Sequence, residues 1–322
     1  MREIGGYLEI DRPKGNEFHR NAIKLNSGRN ALLYFLKLKN VKEIFLPNYI
    51  CDSIINTVKN EGIDYTFYEI DESFLPPVDL KLTKEQFILV INYIGVFNRS
   101  LIKYYKKKYP NIILDNTQAF FEMPYEGVDT FYSPRKFFGV PDGGYLYTEN
   151  QNHLGGIDID YSHNRLEHLF GRLNQPAELF YEAYKNNENL ISNLKLKYMS
   201  ETTQYLLKSI DYNKSKKRRQ MNIRFLGEKL DFVNKAKFSR ANNLFMYPLM
   251  IDNAQKIREI LRRNRIFTPI LWMNNSDFNE VKLNERFSRN IIWLPIDQRY
   301  SISDMKYMSD MIMGAMDAVK HQ

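Results

Sequence analysis

Two hydrophobic periodicities alternate along the first half of the chain, and this alternation limits the possible folds more than any other feature. Short apolar runs typical of strands occur at 41–49, 86–96 and 111–116. Segments with helical spacing, such as 29–39 and 99–110, lie before and between them. Because parallel strands need long crossovers, usually helices, the pattern predicts an α/β fold with a doubly wound, mostly parallel sheet and helices on both faces.

The second half of the sequence predicts a different architecture. Helical spacing dominates from about residue 166 to 232, and four alternating strand and helix segments follow it: 244–251, 254–264, 289–296 and 302–319. We therefore expect a large domain over residues 1–210 and a smaller C-terminal α+β domain over residues 211–322.

Composition excludes several classes of protein. The chain is 43% hydrophobic and 26% charged, which is typical of globular proteins and excludes a disordered chain. Its apolar runs are too short to span a bilayer, and its first residues lack the apolar core of a signal peptide. One cysteine, Cys51, cannot form an internal disulfide, and the five histidines lack the spacing of metal ligands. We expect a cytoplasmic protein with no metal and no membrane partner.

The net charge of +8 would suit nucleic acid, a membrane surface or an anionic small molecule. The basic residues are dispersed except for two runs, 103–110 and 213–224. In both runs apolar residues recur at near-helical spacing, which indicates the solvated face of a surface helix. Nucleic-acid binding therefore rests on net charge alone and we do not expect it, whereas the denser second run leaves an anionic ligand open.

Polar residues cluster where the predicted strands end. In open α/β sheets, ligands bind beyond the carboxyl ends of the strands, so these residues are candidates for a site. They are Ser27 to Arg29 before the first helix, Asn48 and Tyr49, Asn92 and Tyr93, Asp115 to Gln118, and Ser133 to Lys136. Each group is weak evidence alone, and together they predict one binding edge of the sheet.

Four blocks occur in the order LNSGRNALLYFL, IFLPNYICDSI, IILDNTQAFF and FYSPRKFFGVPDGGYLYT. In this order and context they resemble the DegT/StrS family of sugar-nucleotide aminotransferases, which depend on pyridoxal 5'-phosphate (PLP) and have fold type I. The C-terminal IIWLPIDQRYSISDMKYMSDMI resembles the closing strand and helix of that family. The resemblance covers about residues 25–148 and 290–313, and it implies PLP as the cofactor.

The resemblance assigns the catalytic pair to Lys136 and Asp115. PLP needs a lysine that holds it as a Schiff base and then moves a proton, and Lys136 stands a few residues before an Asp-Gly-Gly turn, as in the family. PLP also needs an anion beside its ring nitrogen, and Asp115 ends an apolar strand where a carboxylate without a partner would be costly. Gln118 matches the family glutamine that either hydrogen-bonds the ring hydroxyl of the cofactor or packs beside it.

The predicted phosphate site is the start of the first helix, where free N–H groups and the helix dipole favour anions. Ser27, Gly28, Arg29 and Asn30 align with the small-residue phosphate loop of the family. Arg29 departs from the small hydroxyl residue usual there, and its guanidinium either contacts the phosphate or pairs elsewhere. Ser133 takes the place of a serine that the family carries two residues earlier.

The remaining assignments concern the cofactor ring and the substrate. For the residue that covers the ring, Tyr49 has the larger area and Cys51 the better alignment. The family loop that crosses a dimer interface is nearly absent here, and the nearest segment, 161–172, keeps an arginine that either reaches the partner or pairs with Glu167 or Glu178. The candidate substrate residues are Tyr7, Asn92, Tyr93 and Arg165.

The resemblance thus implies a homodimer that transfers an amino group from glutamate or glutamine to a keto-sugar nucleotide, for the synthesis of a surface polysaccharide. One alternative is a PLP enzyme that transaminates or decarboxylates a small phosphorylated metabolite, which the reduced interface loop, Arg29 and the basic 214–219 cluster favour. A second alternative is a non-catalytic binder on the same scaffold. The joint presence of Lys136, Asp115 and Gln118 speaks against that binder.

Overall fold

A computed structural model describes residues 4–150, 152–236, 243–272 and 287–320. Within these ranges the chain forms a seven-stranded and a two-stranded sheet. The strands are β1 (Ile23–Leu25), β2 (Glu43–Pro47), β3 (Asp64–Tyr68), β4 (Phe87–Ile91), β5 (Ile112–Asp115), β6 (Asp129–Tyr132), β7 (Gly144–Tyr147), β8 (Met246–Met250) and β9 (Ile291–Pro295). The helices are α1 (Gly28–Leu38), α2 (Asp52–Asn60), α3 (Arg99–Lys108), α4 (Glu167–Asn174), α5 (Tyr181–Ser192), α6 (Glu201–Lys208), α7 (Tyr212–Leu230), α8 (Ala254–Arg263) and α9 (Ile302–Lys320).

The large sheet has the strand order β1-β7-β6-β5-β4-β2-β3. Strands β2 to β6 pair in parallel, and β7 runs antiparallel to both β6 and β1. The crossovers through α2 and through α3 advance in opposite directions along the sheet. Because such crossovers are almost always right-handed, the two helices cover opposite faces. The predicted doubly wound, mostly parallel sheet is confirmed.

The central strands place Asp115 at the binding edge. In β4 and β5 nearly every residue is buried, which is why these strands are apolar without alternation. Asp115 is the last residue of β5 and pairs with Ile91 of β4 on one side and Phe131 of β6 on the other. The carboxylate therefore lies at the carboxyl end of a strand in the middle of the sheet.

The segment after β4 differs from the sequence prediction, which extended a strand to residue 96. The strand ends at Ile91, and Tyr93–Gly95 forms a 3₁₀ turn in which Ile94 has φ of 49°. Two buried side chains fix this turn: the oxygen of the Gln118 side chain accepts the Ile94 N–H at 2.8 Å, and that of Asn92 accepts the Phe97 N–H at 2.8 Å. Hydrogen bonds to side chains thus replace the sheet pairing that a longer strand would make.

The C-terminal part contains strands β8 and β9 and helices α7, α8 and α9, and its status as a separate domain stays a prediction. Strands β8 and β9 pair antiparallel, and α7 packs against α9 and β8. The expected boundary at residue 210 falls between α6 and α7. The basic run in α7 is not wholly solvated, because one of its arginines, Arg219, is only 2% exposed. Among the described residues, no helix combines the length and apolarity needed to cross a bilayer.

Helix α1 starts against the turn that leads into β7. Ser27 caps the helix, and its side-chain oxygen accepts the N–H of Asn30 at 3.0 Å. A Cβ added to Gly144 would lie 2.2 Å from the carbonyl oxygen of Ser27 and 2.7 Å from the nitrogen of Gly28. Only a glycine permits this approach of two backbones, which fixes where the helix begins.

We predict that Gly144→Ala lowers the free energy of unfolding by about 2–3 kcal/mol, because the clash is with backbone that cannot move aside. Gly155→Ala is the matched control, since a Cβ there meets no atom within 4 Å, and it should change stability by less than about 0.5 kcal/mol. Chemical denaturation of both variants measures this. Equal stability of the two variants would contradict the close approach.

Candidate active site

One hydrogen-bonded group links the predicted lysine and the predicted carboxylate. The Nζ of Lys136 donates to the Thr117 hydroxyl at 2.8 Å, and the Thr117 N–H donates to the Asp115 carboxylate at 2.8 Å. Lys136 ends the 3₁₀ turn Pro134–Lys136 that follows β6, the strand paired with β5. Adjacent strand ends therefore bring the two residues together, and the exposed lysine leaves its amine accessible.

Asp115 is a buried carboxylate, 5% exposed, and burial raises its pKa. The charge of Lys136 and the hydrogen bonds from Thr117 lower the pKa, but they only partly offset the effect of burial. The residues around Asp115 therefore stabilise its charged form only in part. A cationic group bound next to Asp115 would stabilise this charge, which fits the ring nitrogen of PLP.

The start of α1 meets the same centre. A Cβ added to Gly28 would lie 3.2 Å from the Cβ of Ser133 and 3.3 Å from the Cγ2 of Thr117. The first turn of α1 contains no acidic residue, so nothing there neutralises the positive end of the helix. This arrangement fits a phosphate held by backbone N–H groups, with the Ser133 side chain beside it.

Tyr93 lies near Asp115, in the turn that follows β4. Burial raises the pKa of Tyr93 well above its ordinary value, and the nearby Tyr49, Asp115 and Cys51 raise it further. The rings of Tyr49 and Tyr93 stack at 5.8 Å between centroids with 27° between planes. Four of the predicted residues, Tyr93, Tyr49, Cys51 and Asp115, thus lie close together, and the two tyrosine rings pack against each other.

Gln118 and Asn92 are buried with partners inside the chain. Besides accepting from Phe97, the Asn92 side chain donates to the oxygen of the Asn116 side chain at 3.0 Å. Gln118 uses its oxygen to hold the turn at Ile94. Both residues shape the segment that carries Tyr93. Their contacts with a cofactor or substrate stay predictions.

The side chains of Arg29 and Asn30 donate to carbonyl oxygens at the end of α5 and in the segment that follows it. The guanidinium of Arg29 donates to the carbonyl oxygens of Ile191 and Ser192 at the C-terminal end of that helix, where a cation is favoured. Asn30 donates to the Asn26 side chain at 2.7 Å. Of the two orientations left open for Arg29, this structure has the one that pairs elsewhere in the chain.

Arg165 and Tyr7, two of the candidate substrate residues, have different surroundings. Arg165 is buried and forms an ion pair with Asp160 at 2.8 Å, so its partner is neither of the two glutamates that the sequence suggested. Tyr7 is 98% exposed. Their roles toward substrate, and that of Arg165 toward a partner subunit, stay predictions.

Thr117 lies within the candidate range 115–118, but the sequence analysis gave it no role of its own. It connects Lys136 to Asp115 and also lines the start of α1. The available signal was its place between two assigned residues, Asp115 and Gln118, on the loop after β5. Asp142, expected in a turn, also accepts bonds from the N–H and hydroxyl of Ser200 at 2.9 and 2.7 Å and so holds the residue that caps α6.

We predict that Asp115→Asn raises the melting temperature of the cofactor-free protein at neutral pH, because the amide oxygen still accepts the Thr117 N–H while a buried charge disappears. A carboxyl whose pKa is raised on folding lowers stability as the pH rises from the unfolded to the folded pKa. The gain over the wild type should therefore shrink as the pH falls and the wild-type carboxyl becomes protonated. Thermal denaturation across pH measures both effects.

The control for this prediction is Asp64→Asn at an exposed position on β3, which should leave the melting temperature unchanged. A lower melting temperature for Asp115→Asn at neutral pH would mean that the attraction of Lys136 outweighs the cost of burial.

No protein-family model matches the sequence, and no curated protein matches it either. Solved structures do match. The sugar aminotransferase CalS13 from Micromonospora echinospora is 13% identical, over 91% of this chain and 87% of its own, with a TM-score of 0.66. A DegT/DnrJ/EryC1/StrS aminotransferase from Brucella abortus is 14% identical, over 91% and 85%, with a TM-score of 0.63.

A third match is GDP-4-keto-6-deoxymannose-3-dehydratase (ColD) with bound GDP-perosamine. It is 14% identical over 90% of this chain and 88% of its own, with a TM-score of 0.64. At sequence identities this low, the TM-scores of 0.66, 0.63 and 0.64 show that the fold is shared. The expected architecture is confirmed: this chain has the fold type I architecture of the DegT/DnrJ/EryC1/StrS sugar aminotransferases.

Proposed function

We propose that the protein is a PLP-dependent aminotransferase that acts on a sugar. The observation that carries the proposal is the pair of hydrogen bonds from Lys136 through Thr117 to the buried Asp115. They lie beside the start of α1, whose first turn carries no acidic residue. An accessible amine, a buried anion and a helix start are the three groups that PLP requires, and they meet at one edge of the sheet.

Each residue has a definable role in this proposal. Lys136 holds the cofactor through Nζ and carries a proton on the same atom, while the Thr117 hydroxyl orients that amine. Asp115 keeps the ring nitrogen protonated, and Gly28 with Ser133 binds the phosphate. When bound, PLP supplies the electron sink for the carbon that loses a proton. Tyr93 and Tyr49 exclude water from one side.

For the substrate, we propose a keto-sugar attached to a nucleotide, with glutamate or glutamine as the amino donor, in the synthesis of a surface polysaccharide. The support is the fold shared with sugar aminotransferases and the net charge of +8, which suits an anionic nucleotide. We place the reaction in the cytoplasm, in line with a single cysteine in the sequence.

A second candidate is a PLP enzyme that acts on a small phosphorylated metabolite. The observation that favours it is the segment 163–192, which carries α4 and α5 where the family loop across the dimer interface was expected. Arg135, next to Lys136, and Arg29, next to Gly28, both pair with residues of α5. Helix α5 of the protein's own chain is therefore attached to the residues next to Lys136 and Gly28, which favours a small substrate.

An absorbance spectrum tests the proposal. The purified protein with added PLP should show the band of lysine-bound cofactor, and an amino donor should abolish that band as the half-reaction proceeds. A band that persists with every donor would indicate that the protein binds PLP but has no aminotransferase activity. Transfer of the amino group to a phosphorylated metabolite, but not to a keto-sugar nucleotide, would support the second candidate.

We predict that Lys136→Ala abolishes turnover while the protein stays folded, because the lysine is exposed and supports chemistry more than packing. Lys107→Ala, at an exposed position on α3, is the control and should keep full activity. Steady-state assays with circular dichroism of both variants provide the measurement. Turnover by Lys136→Ala at the wild-type rate would contradict the assignment.

We propose further that the protein is a homodimer and that the α4–α5 segment contributes to the interface. Large apolar side chains exposed on it and just before it are Ile159, Tyr161, Phe170, Leu173, Leu179, Tyr181, Tyr184 and Leu190. Four of these side chains are aromatic, and aromatic residues are enriched in interface centres. Two-fold dimers are the commonest soluble assembly.

Leu173→Glu should therefore raise the dimer dissociation constant about tenfold or more, since a charge would be buried in the contact. Phe232→Glu is the matched control in the C-terminal part, because Phe232 is 75% exposed and Leu173 is 74% exposed. Sedimentation velocity measures the equilibrium for both. Dissociation by Phe232→Glu alone would place the interface elsewhere.

A further inference from the structure

Arg219 is a buried cation that the proposed chemistry does not yet use. It lies on α7 and is 2% exposed. Its Nε donates to the oxygen of the Gln298 side chain at 3.0 Å, and its Nη1 donates to the Phe245 carbonyl at 3.2 Å. Both acceptors are uncharged, and burial lowers the pKa of Arg219 to about 10, which the charge of Asp297 offsets only in part. A guanidinium in such a position is costly, which calls for a structural reason.

That reason lies at Phe137, the residue directly after Lys136. The guanidinium of Arg219 stands 4.5 Å from the centroid of the Phe137 ring, a distance typical of a cation–π contact. The Gln298 side chain, held by Arg219, donates to the Phe137 carbonyl at 2.7 Å. Arg219 therefore fixes both the ring and the backbone oxygen of the same residue.

The contacts continue to the other side of the candidate site. The Phe245 N–H donates to the Ile94 carbonyl at 2.8 Å, and the Ile94 N–H donates to the Gln118 side chain at 2.8 Å. The ring of Phe245 also lies 5.2 Å from that of Phe137. A continuous set of contacts thus connects the segment of Lys136 with Gln118, and Arg219 of the C-terminal part stands at its centre.

We propose that Arg219 is a positioning residue for Lys136, which holds the backbone at Phe137 so that the lysine amine stays at Thr117 and within reach of the cofactor. This inference rests on the proposed function, because it assigns Lys136 the covalent role. It adds that the C-terminal part completes the site through contacts with the lysine segment. Misplacement of a reacting group by about 1 Å can cost about 100-fold in rate, so the contact is large enough to matter.

The experiment compares four variants of the full chain: Arg219→Met, Arg219→Lys, Gln298→Leu and, as control, Arg258→Met. Arg258, on α8, also donates to two backbone carbonyls, those of Ile291 and Arg289, but these do not belong to the lysine segment. The measurements are the rate at which added PLP is captured by the cofactor-free protein, kcat and KM for the amino donor, and the melting temperature without cofactor.

Arg219→Met should slow PLP capture and lower kcat about 100-fold, with KM for the donor changed less than about twofold. Arg219→Lys should recover part of the loss, because an ammonium keeps the ring contact but cannot serve both acceptors. Gln298→Leu should lower both rates about tenfold, and it carries the test if Arg219→Met does not fold. Arg258→Met should change neither rate.

Wild-type capture rates and kcat in Arg219→Met and Gln298→Leu would overturn the positioning role and leave the proposed function intact. Equal losses in Arg258→Met would also overturn it, because they would reduce the effect to general stability. A wild-type protein that captures no PLP would overturn the proposed function, and the role of Arg219 with it.

Discussion

The site depends on one residue, Thr117, whose hydroxyl accepts from the amine of Lys136 and whose backbone N–H donates to the carboxylate of Asp115. A carboxylate at the end of a buried strand is unfavourable unless charge or hydrogen bonds compensate it, and here the compensation is incomplete. The large sheet places Asp115 in this position, because β5 is a central strand and Asp115, its last residue, lies at the binding edge. The buried charge of Asp115 lowers the stability of the protein, and the same charge favours the binding of a cation beside it.

The surrounding elements bring the remaining groups to this contact. Gly144 allows the turn before β7 to touch the start of α1, and Gly28 allows that helix start to approach Thr117 and Ser133. From the opposite direction, Arg219 and Gln298 hold the residue after the lysine. The α4–α5 segment is fastened by Arg29 and by Arg135, whose guanidinium pairs with Glu188. The chain therefore builds much of the surroundings of the lysine from its own segments.

The alternating periodicities were enough to predict the parallel sheet. The four sequence blocks pointed to Lys136, Asp115 and the helix start, which lie together in the structure and whose roles toward a cofactor stay predictions. What they missed are contacts between residues far apart in sequence. Thr117 meets Lys136 across 19 residues, and Arg29 reaches carbonyls more than 160 residues away. Local pattern also extended the strand at Asn92 too far, since the side chain that holds the turn, Gln118, belongs to a different loop. Side-chain direction depends on packing, which no local pattern encodes.

Reduction of the PLP-loaded wild-type protein with borohydride, followed by proteolysis and mass spectrometry of the peptides, tests the assignment most directly. Reduction makes the bond between cofactor and lysine permanent, so the label marks the residue that held PLP. We expect the label on the peptide that contains Lys136 and on no other lysine. Label on a different lysine, or none on a protein that has bound PLP, would contradict the site.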